Sequence, residues 1–341
     1  MRFQRQSNGQ VIIIDPNSVL GVGGEARIYA LPQEPSLVAK VYHKPTDEKA
    51  HKLSVMFTSP PDDPMSASGL ASIAWPVDLL HTTYDRWNQI AGFLMPRVIG
   101  MRAIINFYNP GVRRRQCPLF SYLYLHRTAR NLASAVHALH VRGYVIGDVN
   151  ESNILVSDTA LVTLVDTDSF QVWDPQRGVV YHCPVGKPEF TPPELQGKLF
   201  VNTDRLPEHD RFGLAVLIFQ LLMEGIHPFA GIFQGGGDPP PYEERISSGH
   251  FPYGMSQRVP YRPARNAPPF EILHPNLRQL FLQCFEDGYK NPQMRPDART
   301  WQDALNEAEN DLVTCSANDQ HRYGGHLRAC PWCERSARLR G

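Results

Sequence analysis

The sequence predicts an α+β fold in two lobes, and three observations predict it. Residues 1–95 carry short β-branched and aromatic runs separated by glycine and proline. Beyond Pro96 the apolar residues recur mostly at helical spacing, and Pro96 itself stands at the change as a hinge. Such a layout leaves a cleft between the lobes, where small-molecule sites tend to lie.

In chain order, residues 11–14, 26–31 and 37–42 read as strands. Thr46 offers an N-cap, with Asp47 and Glu48 in the first turn and Ala50, Leu53, Met56 and Phe57 at helical spacing. Pro60, Pro61 and Pro64 end that helix. A strand ending at Met95 closes the first lobe. Residues 122–142 form a long amphipathic helix and residues 210–224 a second, more apolar one. Proline-rich residues 238–242 and 260–269 read as surface loops, and residues 270–286 and 300–312 as late helices. No internal repeat is present.

Composition sets bounds on function. The 341 residues carry 34 Lys+Arg against 34 Asp+Glu, so no global field draws the chain to nucleic acid or an anionic membrane. The apolar fraction of 42% belongs to an ordered globular protein. Residues 214–223 are the most apolar stretch, about half a bilayer span and interrupted by Gln220. The apolar run at residues 11–14 is too short for a secretory core, so the expectation is a soluble, cytoplasmic chain with no membrane partner. Six cysteines are too few for a disulfide scaffold: Cys117, Cys183 and Cys284 are scattered, while Cys315, Cys330 and Cys333 crowd the end.

Gly21, Gly23 and Gly24 lie between two strand-like runs. Glycines there let the backbone approach a polyphosphate, so that N–H groups cradle the anion. Lys40 follows at the end of Leu37-Val38-Ala39-Lys40. After the long helix comes Ile146-Gly147-Asp148-Val149-Asn150-Glu151-Ser152-Asn153, then Asp166-Thr167-Asp168. One carboxylate to orient an attacking hydroxyl, with an amide and a second carboxylate to hold Mg²⁺, is the oxygen-rich set that phosphoryl transfer needs. Gly186-Lys187-Pro188-Glu189-Phe190, Glu194, Asp210 and Arg295-Pro296 complete the series.

With these motifs in this order, residues 11–312 resemble the eukaryotic-type (Hanks-type) protein kinase superfamily. The resemblance implies a bilobed protein-kinase-like fold, an N-lobe over residues 1–95 and a C-lobe over 96–312. It implies a Mg-ATP-dependent serine/threonine protein kinase with a protein substrate, Mn²⁺ being the alternative metal. By the same resemblance Lys40 contacts the α- and β-phosphates, Asp148 is the catalytic base, and Asn153 and Asp166 bind Mg²⁺. Gly21, Gly23, Gly24, Ala39, Met95, Arg97 and Val98 would surround the nucleotide. Glu194 would pair with Arg295, and Asp210 would anchor the loop carrying Asp148.

The departures from the family pattern carry further expectations. Ile146-Gly147 stands where His-Arg is usual, so no arginine there receives an activation-loop phosphate, and activity is expected without that phosphorylation. Asp168 replaces glycine, Ala26 replaces the third loop glycine, and Asn150 replaces a lysine near the γ-phosphate. Lys187 is expected to supply the missing cation. For the carboxylate that the family pairs with its lysine, Glu48 is chosen over Asp62, from the first turn of a shortened helix. A pseudokinase, or nucleotide-binding scaffold in a signalling complex, is the alternative reading. Transfer of a nucleotide is a third.

Residues 313–341 form a separate tail. Cys330 and Cys333, with Cys315 and a histidine, suit a tetrahedral structural Zn²⁺ site that would staple a segment too short for a core. His321 is taken as fourth ligand, with His326 the competitor. Arg322, Arg328, Arg335, Arg338 and Arg340 face the single acid Glu334, which leaves nucleic acid, a protein partner or the kinase body as what the tail contacts. Kinase-like bacterial proteins with Cys-Pro-Trp-Cys tails are similar, which suggests stress signalling alongside a metal-dependent phosphatase and an adhesion-type domain protein.

Overall fold

The computed structural model describes residues 1–83 and 89–340, without the side chains of 338–340. The basic-tail residues Arg338 and Arg340 therefore lie outside the described side chains. Among the described residues, seven strands make one antiparallel sheet: β1 (Arg2–Arg5), β2 (Val11–Ile13), β3 (Val19–Val22), β4 (Ala26–Ala30), β5 (Leu37–Tyr42), β6 (Asp78–Thr82) and β7 (Ile90–Pro96). They lie in the order β2-β1-β6-β7-β5-β4-β3. In β5 the register sets Lys40 between Ile28 of β4 and Phe93 of β7. Gly92 is needed for that closeness, because a Cβ there would fall 2.1 Å from the Lys40 carbonyl oxygen.

Two strands, β1 and β6, are not foreshadowed by the apolar pattern. They are joined by Asp78, buried to 1% exposure, which accepts from Arg5 Nε at 2.7 Å, Ser7 Oγ at 2.5 Å and Ser7 N at 3.0 Å. A buried carboxylate is tolerated only with partners of this kind. Burial works to raise its pKa, yet these hydrogen bonds hold it below the ordinary range.

Helix α1 (Asp47–Thr58) starts where Thr46 Oγ1 accepts from Lys49 N at 3.2 Å. It buries Lys52, Leu53 and Met56. Its end is fixed from behind: Tyr144 Oη donates to the Ser59 carbonyl at 2.6 Å and Trp75 Nε1 to that of Met56 at 3.0 Å.

The C-lobe core is built on the long helix Tyr122–Val141 and the apolar helix Pro207–Leu222, in which every residue from Phe212 through Leu222 is buried. Arg127 ties the long helix to Ala298–Asn310 through Glu309 at 2.7 Å. The expected helix over 270–286 is instead a short turn Phe270–Ile272, a helix Pro275–Leu282 and a π turn Gln283–Asp287. Pro275 lacks the N–H that a helix interior requires, so it opens a helix. Likewise Asp297 caps the last C-lobe helix by accepting from Thr300 N at 2.8 Å, and Leu312 already belongs to a strand, Leu312–Cys315, paired with Asn318–Gly324. The tail helix Pro331–Arg340 follows. Among the described residues no helix is long and apolar enough to cross a membrane.

Candidate functional site

A cavity of about 830 Å³ opens between the turn joining β3 to β4, the start of α1 and the segment after Asp166. Its lining includes Gly21, Gly23, Gly24, Lys40, Glu48 and Asp166, so six of the expected binding residues share one space. Nothing lies within 4 Å of where a Cβ on Gly21 or Gly24 would sit, and neither glycine is required by its backbone conformation. Their lack of side chains keeps the cradle open, as a phosphate approaching backbone N–H groups demands.

Lys40 is held by two carboxylates, Asp166 Oδ1 at 2.7 Å and Asp168 Oδ1 at 2.5 Å. Burial works to lower its pKa, but the neighbouring negative charges, Asp168 foremost, keep it above its ordinary value. The other oxygen of Asp168 accepts from Tyr42 Oη at 2.8 Å. Burial, reinforced by that charge, pushes the Tyr42 hydroxyl well up, so it remains a donor. Asp166 takes a left-handed conformation at φ 60°, and Ser169 Oγ returns a hydrogen bond to its carbonyl at 2.7 Å.

The expected pairing of Lys40 with Glu48 is not formed among the described residues. Glu48 lines the cavity but is exposed, and among the described residues it forms no ion pair with Lys40. The reason is local: Asp168, standing where the family has glycine, offers a nearer carboxylate from the segment itself. Of the residues that α1 buries, Lys52 and Leu53 line the cavity, and Lys52 is the charged one. Asp62, the other acid considered, bonds Arg142 at 3.3 Å.

Asp148 lies on the loop after the long helix. Its Oδ2 accepts from Asn153 Nδ2 at 3.2 Å, while Oδ1 is buried without a partner. Asn150, almost fully buried, donates to the Asp148 carbonyl at 3.2 Å and accepts from Ser152 N at 2.8 Å, so here it shapes the loop. Buried Asp210 accepts from the N–H groups of Ile146 at 2.7 Å and Gly147 at 2.8 Å, and contacts His140 Nε2 at 3.0 Å. Each is a charge-assisted bond of the stronger kind.

Gly147 explains the missing arginine. It adopts φ +76°, and a Cβ there would lie 2.7 Å from Cys183 Cβ and 2.9 Å from Arg205 Nη1. Arg205, which no motif in the sequence points to, fills that space. Its guanidinium donates to the carbonyls of Gly147 and Val185 and stacks 3.9 Å over the Phe200 ring. Its backbone N–H and carbonyl bond the Gln171 side chain. Burial lowers its pKa.

Lys187 does not reach Asp148 among the described residues: its ammonium donates to Glu151 Oε1 at 2.9 Å and Ser152 Oγ at 2.8 Å. Glu194 and Arg295 form a two-pronged pair at 2.6 and 2.7 Å. Burial would raise the Glu194 carboxyl, and the Arg295 bonds outweigh it and lower the pKa. Ala39 is fully buried in β5, and Met95 lies in β7 opposite Val38. Arg97 N donates to the Ser36 carbonyl at 2.8 Å and Val98 follows it; Ala39, Met95, Arg97 and Val98 do not line the cavity described above.

In the tail, one atom each from Cys315, His321, Cys330 and Cys333 lie within 4.8 Å of one another, a set that can hold a metal ion. His321 Nδ1 is 3.4 Å from Cys333 Sγ and 3.6 Å from Cys330 Sγ. His326 turns away, its Nε2 3.0 Å from the Glu271 carbonyl. Trp332 docks this unit on the long helix, with its ring 5.0 Å from Tyr122, and its Nε1 donates to the Arg322 carbonyl at 2.6 Å.

No family model matches the chain. It is 36% identical over 326 residues to protein kinase YegI of Escherichia coli O157:H7, covering 94% of this chain and 48% of that protein. YegI of strain K12 gives 36% over 320 residues, or 92% and 47%. The chain thus spans about half the length of the curated relatives it matches. Among solved structures, the ROP18 kinase domain in complex with AMP-PNP and sucrose superposes with a TM-score of 0.55 at 17% identity, covering 90% of this chain and 82% of that one. The fold is that of a protein kinase.

Proposed function

We propose that the chain is a Mg-ATP-dependent serine/threonine protein kinase that transfers the γ-phosphoryl group to protein hydroxyls. The observation that carries this reading is one arrangement: Lys40 held by Asp166 and Asp168 beneath an open glycine turn, with Asp148 and Asn153 bonded to each other on the adjoining loop. The donor set suits the ligand. Lys40 and the turn's N–H groups complement phosphates, and Asn153 and Asp166 supply the hard oxygens a divalent metal prefers. Mg²⁺, when bound, supplies charge neutralisation at the phosphates. Asp148, with a buried free oxygen, orients and accepts the proton of the attacking hydroxyl, and Lys187 stabilises the charge that develops during transfer.

Activity without activation-loop phosphorylation belongs to the same proposal. Arg205 already joins the Val185 carbonyl of that segment to the Gly147 carbonyl of the loop, a connection that elsewhere needs a phosphate to be built. The tail is proposed to bind structural Zn²⁺ through Cys315, His321, Cys330 and Cys333. The proposed division is residues 1–95, 96–312 and 313–341, in a cytoplasmic bacterial signalling protein. A partner phosphatase and adhesion-type protein rest on resemblance alone.

Autophosphorylation with γ-labelled ATP, on wild type and Asp148→Ala, tests the reading. Label on wild type alone supports the kinase. ATP binding with no transfer in either favours the scaffold, which the neutralisation of Lys40 by two carboxylates also suits, and label from α-labelled ATP alone would favour nucleotide transfer.

A further inference from the structure

Lys52 is a cation inside the cleft that the catalytic reading leaves unused. It sits on α1 beside Leu53 and four residues from Met56, which pack into the core, and only 9% of its surface is exposed. It lines the same cavity as Gly21, Gly24, Lys40 and Asp166. Its neighbours are otherwise engaged. Asp166 and Asp168 are taken by Lys40, Asp168 also by Tyr42, and Lys49 of the same helix pairs with Glu25 at 2.9 Å. Among the described residues the Lys52 ammonium has neither a hydrogen bond nor an ion pair, while Lys40 and Lys49 are both ion-paired. Lys187, the other candidate for supplementary charge, is occupied by Glu151.

A lysine so largely buried, with no protein partner for its ammonium, opposes folding, and an apolar residue of similar volume would suit the α1 face better. Retaining lysine there makes sense when a ligand brings the counter-charge. The cavity that faces Lys52 is the one whose glycine turn is kept open for an anion. We propose that Lys52 is a phosphate-binding residue, its ammonium contacting the phosphate chain of the nucleotide alongside Lys40. This rests on the ATP reading of the cleft. Burial, the dominant influence, lowers its pKa, while the charges of Asp168, Cys183, Glu48 and Asp166 work in the other direction. A phosphate beside it adds to that latter group. The arrangement divides the work between the lysines: Lys40 is fixed in place by protein carboxylates before ligand arrives, and Lys52 is left for the ligand to neutralise.

Calorimetric titration of the full chain with Mg-ATP, and separately with adenosine, tests this. Lys52→Met is expected to weaken ATP by about 10- to 100-fold, the loss of one charge-assisted contact, with adenosine unchanged. Its melting temperature is expected to equal or exceed that of wild type, because the variant removes a buried charge, and Lys52→Arg is expected to restore most of the ATP affinity. The inference is overturned if Lys52→Met binds ATP as wild type does, or loses ATP and adenosine equally. A wild-type chain that binds neither probe refutes the nucleotide reading itself. Wild type and Lys52→Met binding ATP alike refute only the inference.

Discussion

The guanidinium of Arg205 donates to the carbonyl oxygen of Gly147, across 58 residues of chain, and with its other nitrogen to that of Val185. The loop that carries Asp148 and the segment that carries Val185 are thereby joined through a side chain buried to 3% exposure. Arg205→Ala takes this donor from both carbonyls, and because Val185 is exposed and Gly147 half-buried the cost is about 0.5–1.5 kcal/mol each. The expected result is a lower melting temperature and loss of transfer, while phosphatase-treated wild type retains its activity. Inert phosphatase-treated enzyme would overturn activation-loop independence.

Asp168→Gly restores the family's residue and is expected to harm this chain. Lys40 keeps Asp166 but loses its shorter contact, and the Tyr42 hydroxyl loses its acceptor. Breaking a buried pair from one side costs on the order of 3–5 kcal/mol, and the surviving Asp166 contact reduces that. Chemical denaturation should register the lower stability, and ATP titration a weaker affinity.

Lys187→Ala separates catalysis from stability. Its pair with Glu151 is 40% exposed on the lysine side and contributes at most about 1 kcal/mol, so melting should barely move. If Lys187 stabilises transferring charge, kcat falls by about 10²-fold. An unchanged kcat refutes that assignment.

The Glu194–Arg295 pair gives the C-lobe an acid limit. The folded-state pKa of Glu194 is depressed, so its contribution is fully present above the unfolded value of 4.5 and is lost as pH falls through the lower folded value. Melting curves from pH 7 downward should show wild type well above Glu194→Gln at neutrality. That gap should narrow only below about pH 4.5. A gap constant to pH 3 would exclude this linkage.

Metal content distinguishes the two histidines. Purified chain should carry about one zinc, released when its thiols are modified and read with a chromogenic chelator. His321→Ala should lower occupancy and melting temperature; His326→Ala should leave occupancy intact. The reverse pattern would reassign the fourth ligand.

Much of the site was legible because its pieces are local. Asp148 and Asn153 are five residues apart on one loop, and Gly21, Gly23 and Gly24 on one turn, so local spacing together with the resemblance to the kinase family marked them as candidates. Arg205 was illegible for the opposite reason: nothing near it in the chain refers to Gly147, although the glycine in an arginine's place posed the question. Glu48 is one of the few acids after Lys40 and sits in the first turn of α1, a position that says nothing of which way its side chain faces. Leu53 and Met56 already marked the buried side of α1, and Lys52 lies on it, so helical phase held a signal that charge matching overrode. The strands Arg2–Arg5 and Asp78–Thr82 escaped because each mixes charged with apolar residues, and the acid that opens Asp78–Thr82 is itself buried.

The bonds from Tyr144 to Ser59 and from Trp75 to Met56 sit behind the cleft, where α1 meets the rest of the molecule. They act as the spine of a book. With both bonds in place the C-terminal half of α1 is pinned, and Lys52, four residues before Met56, is pinned with it. A substitution that cut either bond would loosen the helix carrying Lys52 while leaving the strand that carries Lys40 in its sheet.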